Sequence, residues 1–148
     1  MSKAEAITLS IAVLGAVLGI INTWRAIDSS RVKVRVEPGH ARPVGGANPA
    51  IKFYIAVTNL SGFPITIDNV GFLFRGTDHR AVLVDYVLAD GGTLPRRLEP
   101  RSSVTAYCDT PKPLREHPIK CAYAKTACGV TCTGTSPALK QVIRGAGL

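Results

Sequence analysis

The pattern of hydrophobic and polar positions divides the chain into two parts. Residues 6–24 form an apolar run that contains no charged side chain. From Arg31 onward, apolar residues alternate with polar ones in short runs separated by Gly and Pro, which is typical of strands and turns. The pattern therefore predicts, in residues 1–30, a hydrophobic helix that Asp28, Ser29 and Ser30 end, and a β-domain in residues 31–148.

The apolar run is long enough to cross a bilayer. As an α-helix, residues 6–24 would extend about 28 Å, close to the roughly 30 Å of hydrocarbon in a membrane. No Ala-x-Ala pattern follows to indicate a cleaved signal peptide, and no polar stripe indicates the core helix of a soluble domain. We therefore predict one transmembrane helix. The alternative is a phage or virion-type assembly in which copies of the helix bury one another in a protein bundle.

Basic residues after the apolar run predict its orientation. Trp24 stands where an interfacial aromatic is expected, and Arg25, Arg31, Lys33 and Arg35 follow it. The positive-inside bias then places the β-domain in the cytoplasm. We expect these five residues to form a basic patch that faces lipid headgroups, since each cation near an anionic membrane surface contributes about 1 kcal/mol.

The same run carries a pattern for self-association. Ala12, Gly15, Ala16 and Gly19 are small and spaced so that two helix backbones could approach closely in lipid. This pattern predicts a homo-oligomer formed through the helix. A second set of residues has the spacing of a coiled-coil seam and favours the bundle instead: Ile7, Ile11, Leu14, Leu18 and Ile21.

Alternation after residue 30 predicts an all-β domain. At Asp68 and Asn69 the apolar positions change parity, which indicates a bulge, and we expect the strands on either side of residues 59–64 to form a hairpin. Ser136 before Pro137 predicts a short closing helix, because Ser caps helices and Pro suits the first helical position. The predicted strands are 31–36, 51–58, 65–74, 80–88, 102–107, 119–127 and 130–134, with a loop at 37–50 and an extended connection at 94–100. We therefore assign the fold class as mainly β, an immunoglobulin-like antiparallel sandwich of about seven strands.

Two segments give the chain a resemblance to known proteins. One is the turn Thr58-Asn59-Leu60-Ser61-Gly62-Phe63-Pro64 between two apolar strands, and the other is the spacing of Leu94, Pro100, Ser102 and Val104. Together with the hydrophobic helix and the basic first strand, the chain resembles small uncharacterised bacterial and prophage proteins that are predicted to be membrane-anchored immunoglobulin-like sandwiches. The resemblance implies that fold and placement, and it implies no activity.

The net charge of +8 raises the question of nucleic-acid binding. A second basic group lies at Arg96, Arg97 and Arg101. Sequence-tolerant binding of single strands also needs exposed aromatic side chains for base stacking, and only 6% of the residues are Phe, Trp or Tyr. A basic nucleic-acid-binding domain is therefore our third hypothesis, after the membrane anchor and the assembly subunit.

The cysteines and histidines do not predict an enzyme. His117 precedes Cys121, Cys128 and Cys132, but the spacing lacks the paired Cys-x2-Cys of a zinc knuckle. A disulfide from Cys121 or Cys128 to Cys132 would need an oxidising compartment, so we favour free thiols, including Cys108, that act as small apolar residues.

No catalytic motif accompanies the three histidines, His40, His79 and His117, which lie far apart in predicted loops. No glycine-rich phosphate loop is present either. We therefore expect a non-enzymatic interaction or structural module without cofactor or metal. Its expected partners are the bilayer, a second copy of the chain and a further protein that the sequence does not identify.

Overall fold

The computed structural model describes residues 2–45, 48–112 and 117–145. The chain divides into two compact units, Met1–Arg31 and Val32–Leu148. The first unit is helix α1, Lys3–Ser30. It begins at a capping box, in which the Ser2 hydroxyl accepts from the Glu5 N–H and the Glu5 carboxylate accepts from the Ser2 N–H.

The helix is longer than the sequence predicts. Residues 28–30 were expected to break it, and this was wrong, since the chain leaves the helical region only at Arg31. The hydroxyls of Ser29 and Ser30 donate to the carbonyls of Ala26 and Ile27. These serines therefore bond back to the last turn, as Ser side chains within helices do.

The second unit is mainly β. Its described residues form nine strands in two antiparallel sheets and one short helix, α2. The elements are β1 (Val34–His40), β2 (Phe53–Asn59), β3 (Ile65–Phe74), β4 (Arg80–Val82), β5 (Val87–Leu88), β6 (Arg96–Leu98), β7 (Ser103–Cys108), β8 (Ile119–Thr126), β9 (Thr131–Gly134) and α2 (Pro137–Gly145).

Both sheets contribute side chains to one hydrophobic core. The first sheet has the strand order β1-β2-β7-β5, and the second has β4-β3-β8-β9, with β6 paired to the start of β3. Phe53, Ile55 and Val57 of β2 are fully buried in this core, as their alternation predicts. The mainly β prediction is therefore confirmed, with more strands than the seven expected.

The bulge predicted in β3 is present. Ile65 and Ile67 are buried before it and Val70 after it, and the register with β8 shifts between Ile67 and Asn69. The hairpin expectation is wrong, because β2 pairs with β1 and β7 whereas β3 belongs to the other sheet. Residues 60–64 therefore carry the chain from one sheet to the other.

Residues 80–88 also cross between the sheets. They were predicted as a single strand, which is wrong: β4 pairs with β3 and β5 pairs with β7. Half-buried Leu83 and buried Leu88 face the core with opposite parity, and Val84 between them is 82% exposed. A single regular strand cannot bury both leucines on one face, so the chain leaves one sheet and enters the other.

Two connections predicted to be irregular contain strands. β1 continues into the expected loop at 37–50 because Gly39, opposite Tyr54, has no Cβ to overlap the tyrosine ring. The expected connection at 94–100 contains β6, which pairs with residues 65–67. Both segments contain prolines, and for this reason they were predicted to be irregular, although Pro is tolerated on edge strands.

One side of the domain is closed by β1 and β9, the edge strands of the two sheets. They approach so closely that a Cβ at Gly134 would overlap the carbonyl of Val36. Helix α2 packs against β1 and buries Leu139. The Ser136 hydroxyl accepts from the Leu139 N–H at 3.1 Å, which confirms the predicted cap.

Two engineered disulfides test the crossing of residues 80–88. Arg80 lies opposite Leu73, and Val87 lies opposite Tyr107. Directly opposed antiparallel positions have Cα atoms about 4.5–5.5 Å apart, within disulfide range. In a chain whose four native cysteines are alanine, we expect both Arg80→Cys/Leu73→Cys and Val87→Cys/Tyr107→Cys to cross-link on oxidation, as measured by mass spectrometry. A continuous strand in one sheet could form only one of the two bonds.

Candidate functional site: the apolar helix and the linker end

The surface of α1 is largely apolar and almost entirely exposed. None of its described residues is buried, and Ile20 is 69% exposed. A helix of 28 residues is about 42 Å long, comparable to the 40–45 Å of a bilayer with its headgroup layers. The helix is therefore long and apolar enough to span a membrane.

Hydroxyl groups within the apolar run bond to the helix itself. Thr8 donates to the carbonyl of Ala4 at 3.0 Å, and Thr23 donates to the carbonyl of Gly19 at 2.8 Å. Ser10 makes the same kind of bond. The side-chain amide of Asn22, by contrast, has no hydrogen-bond partner among the described residues.

Small and polar residues occupy one side of α1. At 100° per residue, every position from Thr8 to Ala26 within an arc of about 120° is Gly, Ala, Thr or Asn. The sequence prediction included four of these residues. The remaining four emerge when the helical period is extended over the whole helix. The complete set is Thr8, Ala12, Gly15, Ala16, Gly19, Asn22, Thr23 and Ala26.

Three loops meet at the end of the β-domain where β1 begins. We call residues 32–33, 60–64, 99–102 and 127–130 the linker end. The Leu60 N–H donates to the Lys33 carbonyl at 2.8 Å, and the Ala127 N–H donates to the Thr66 carbonyl at 2.9 Å. These bonds join the residues that follow β2 and β8 to neighbouring segments, the residue before β1 and the strand β3.

Asn59 holds the linker end together. It is fully buried, and its Nδ2 points at the carbonyls of Phe63, Leu98 and Glu99, at 2.9, 3.2 and 3.2 Å. Its Oδ1 accepts from the Ser61 N–H at 2.9 Å. The Asn59 side chain therefore hydrogen-bonds to backbone groups of two segments that are about forty positions apart in the chain.

Ser61 and Thr126 extend this arrangement. The Ser61 hydroxyl accepts from the Lys33 N–H at 2.8 Å, which fixes the start of β1. The Thr126 hydroxyl accepts from the Val130 N–H at 3.1 Å and holds the β8–β9 turn. With Asn59, these are the buried polar residues among the described part of the chain.

Arg101 occupies a position that normally requires glycine. The Ser102 N–H donates to the Glu99 carbonyl at 3.1 Å, closing a turn with Pro100 second and Arg101 third. Arg101 has a φ of 63°, as the third residue of a type II turn requires. For a residue with a Cβ this conformation costs about 1–2 kcal/mol relative to Gly. The Arg101 side chain is nevertheless exposed.

The predicted basic patch is distributed over both units. Trp24 and Arg25 are exposed on α1, and Arg31 caps it. Arg35 lies on the exposed side of β1, as its alternation predicts, and the exposed Lys33 directly precedes the strand.

The charged side chains of the β-domain differ in their pairing. Arg35 is 3.9 Å from Glu37, and Arg97 is 2.9 Å from Glu99. Arg96 pairs with Asp90. The second basic group of the sequence is therefore divided, and Arg101 is its member at the linker end.

The four cysteines are free thiols in different environments. Cys108 is buried in the core, and burial raises its pKa to about 11. Cys132 lies opposite Ala124 and packs against the core, whereas Cys121 lies opposite Leu73 on the other face of the sheet. A Cys121–Cys132 bridge is therefore excluded.

Cys128 differs from the other three thiols because it is exposed at the linker end. Its sulfur lies 3.1 Å from the Thr126 hydroxyl, and this hydrogen bond lowers the pKa of the thiol. The described residues contain no group of three or more His, Cys, Asp or Glu side chains that could hold a metal ion.

No protein-family model matches the chain, and no curated protein matches its sequence. Function is therefore inferred from the apolar helix and the linker end themselves.

Replacing Asn59 tests the assembly of the linker end. We expect Asn59→Ala to destabilise the domain by at least about 3 kcal/mol, because buried backbone groups lose their partner. This corresponds to a fall in Tm of about 10 °C or more. The measurement is thermal unfolding of the full chain in detergent micelles, followed by the β-sheet circular dichroism signal.

Asn69→Ala is the matched control. Among the described residues, the buried Oδ1 of Asn69 has no hydrogen-bond partner, and its Nδ2 bonds to Asp68. We expect this variant to lose less than about 1 kcal/mol. Equal losses in the two variants would contradict the role assigned to Asn59.

Proposed function

We propose that the chain is a single-span membrane protein whose β-domain serves as a non-enzymatic interaction module. The observation that carries the proposal is α1, a 28-residue helix with no buried residue. In water this surface would be unfavourable, since fully burying one Leu or Ile side chain is worth about 1.5–3 kcal/mol. Soluble monomers rarely expose a continuous apolar surface of this extent.

The hydrogen bonds of α1 support lipid as its surroundings. Hydrocarbon supplies no partner for polar groups, so hydroxyls there bond to their own helix, as Thr8, Ser10 and Thr23 do. Trp24 and Arg25 then lie where the apolar run ends, a position that suits the membrane interface. The basic residues that follow favour a cytoplasmic β-domain.

For the β-domain we propose an immunoglobulin-like sandwich. Its support is the strand order: β1-β2-β7-β5 corresponds to A-B-E-D, and β4-β3-β8-β9 corresponds to C′-C-F-G. In antibody domains a disulfide joins strands B and F. Here the corresponding strands, β2 and β8, both contribute apolar residues, such as Ile55 and Ala122, to the core. The cross-links proposed for residues 80–88 test this order too, because they assign β4 and β5 to different sheets.

Self-association through α1 completes the proposal. Gly15 and Gly19 lie on the small-residue side, where two backbones could approach closely. The Asn22 amide lies on the same side and has no partner in the part of the chain that the structure describes. A second copy would supply a hydrogen bond to it in lipid, which is worth roughly 1 kcal/mol.

A charge in the middle of α1 tests the membrane anchor. We expect Leu14→Arg to impair membrane integration, since an arginine near the centre of a transmembrane helix costs about 2.5–3.5 kcal/mol. The measurement is the fraction of protein that stays in the membrane pellet after alkaline carbonate extraction. Val84→Arg, at a site that is 82% exposed on the β-domain, is the control and should be retained like the wild type.

Release of the wild-type chain by carbonate would refute the membrane anchor. In that case, a detergent-free assembly of several chains with uniform size would favour the protein bundle. A monodisperse monomer would contradict both the membrane anchor and the protein bundle.

A bulky residue on the small-residue side tests self-association. We expect Gly19→Ile to weaken association of the helix by about 1–2 kcal/mol, because the side chain keeps the two backbones apart. Energy transfer between donor- and acceptor-labelled full chains in vesicles measures the association. Val17→Ile, on the opposite side of the helix, should leave it unchanged. Equal energy transfer in wild type and Gly19→Ile would contradict this interface.

A further inference from the structure

The linker end combines positive charge with exposed apolar groups. Arg101 is exposed there, and Glu99, the carboxylate of the same turn, pairs with Arg97. Leu60 and Val130 are large apolar side chains exposed at its loop tips. Surfaces that bind at the membrane interface combine cationic side chains with apolar ones in this way.

The short connection between α1 and β1 limits the distance of the linker end from the end of the helix. Residues 31–33 join the last residue of the helix to the first residue of β1. Four Cα–Cα steps span at most about 14 Å. If α1 crosses a bilayer, the linker end stays close to the headgroups at a high effective concentration, so a weak attraction is sufficient for contact.

The backbone at Arg101 gives an independent reason to consider this surface functional. The third position of the turn favours Gly, yet an arginine is held there with a φ of 63°. Its N–H donates to the Asn59 carbonyl at 3.0 Å, so the surrounding hydrogen bonds maintain the conformation. Unfavourable backbone conformations of this kind cluster at functional sites.

We propose that the linker end is a docking surface for anionic lipid headgroups, with Arg101 as its principal contact. This inference rests on the membrane anchor proposed above. The surface holds the β-domain against the anionic leaflet instead of leaving it free on its connection. Lys33 adds charge, and the buried Asn59 keeps the loops in place.

Cys128 provides a reporter at this surface. It is the exposed thiol of the linker end, so a fluorophore can be attached there in a full chain that carries Cys132→Ala. The chain is reconstituted in phosphatidylcholine vesicles with or without roughly one third phosphatidylserine. Quenching by a lipid spin-labelled on its headgroup reports contact. The control position is His79→Cys with Cys128→Ser and Cys132→Ala, at the exposed β3–β4 turn.

We expect phosphatidylserine to increase quenching at Cys128 and not at the control position. The increase should fall when salt is raised from about 0.1 M to about 1 M, which shortens the screening length from about 10 Å to about 3 Å. Each cation removed should lower the ratio of docked to undocked domain about fivefold.

Arg101→Gly separates docking from stability. It removes the charge and the unfavourable backbone conformation, so we expect docking to fall about fivefold while Tm stays equal or rises. Arg101→Asn should behave alike, because Asn tolerates a positive φ. Arg101→Lys should retain most of the docking, and Arg75→Ala, an exposed cation at the far end of β3, should have no effect. Unchanged docking in both uncharged variants would overturn the proposal.

Carbonate extraction of the same preparations distinguishes this inference from the anchor. Retention in the membrane without a response to phosphatidylserine refutes the docking surface alone. Release with a response supports the surface and refutes the anchor, and release without a response refutes both. Arg101-dependent binding of a labelled DNA duplex, with no response to phosphatidylserine, would overturn the proposal in favour of nucleic acid.

Discussion

Backbone polar groups that are removed from water must be paired within the protein, and this constraint governs the β-domain and would govern α1 in a bilayer. In α1 the helix pairs its own N–H and C=O groups, and the hydroxyls of Thr8 and Thr23 return to its carbonyls. In the β-domain the two sheets do the same for the strands. The chain crosses between sheets at residues 60–64, where no ladder continues, and side chains must supply the missing partners.

Asn59, Ser61 and Thr126 supply these partners at the linker end. Each is almost fully buried, and each bonds to backbone groups of a loop or turn. Buried polar side chains are retained where they are fully hydrogen-bonded, and here they give ordered loops at the point where the helix joins the domain. The order of these loops is what lets the turn around Arg101 keep a conformation that arginine seldom adopts.

The membrane anchor, the small-residue side of α1 and the linker end form one functional hypothesis. The helix would hold the chain in the bilayer, its small side would bring copies together, and the linker end would orient each β-domain on the leaflet. The outer faces of the two sheets would then remain available to a further protein partner.

Local pattern was sufficient for much of the fold. The apolar run predicted α1, alternation predicted the buried faces of β1 and β2, and the parity change at Asp68 and Asn69 predicted the bulge. Each of these features depends on neighbours that are close in sequence, namely helical periodicity, strand alternation or a capping residue. The closing helix capped by Ser136 belongs to the same class.

Pairing between distant strands was decided only by the tertiary structure. Residues 80–88 look like one strand, and only the shared core shows that Leu83 and Leu88 must be buried from different sheets. The strands on either side of residues 60–64 look like a hairpin, yet each finds its partners elsewhere in the chain.

The sequence likewise predicted only part of the candidate site. The helix residues follow from periodicity, whereas Arg101 and Asn59 gain their roles from carbonyls about forty positions away. A sequence pattern records which side of an element is apolar. It does not record which distant backbone groups will need a partner once two sheets close around one core.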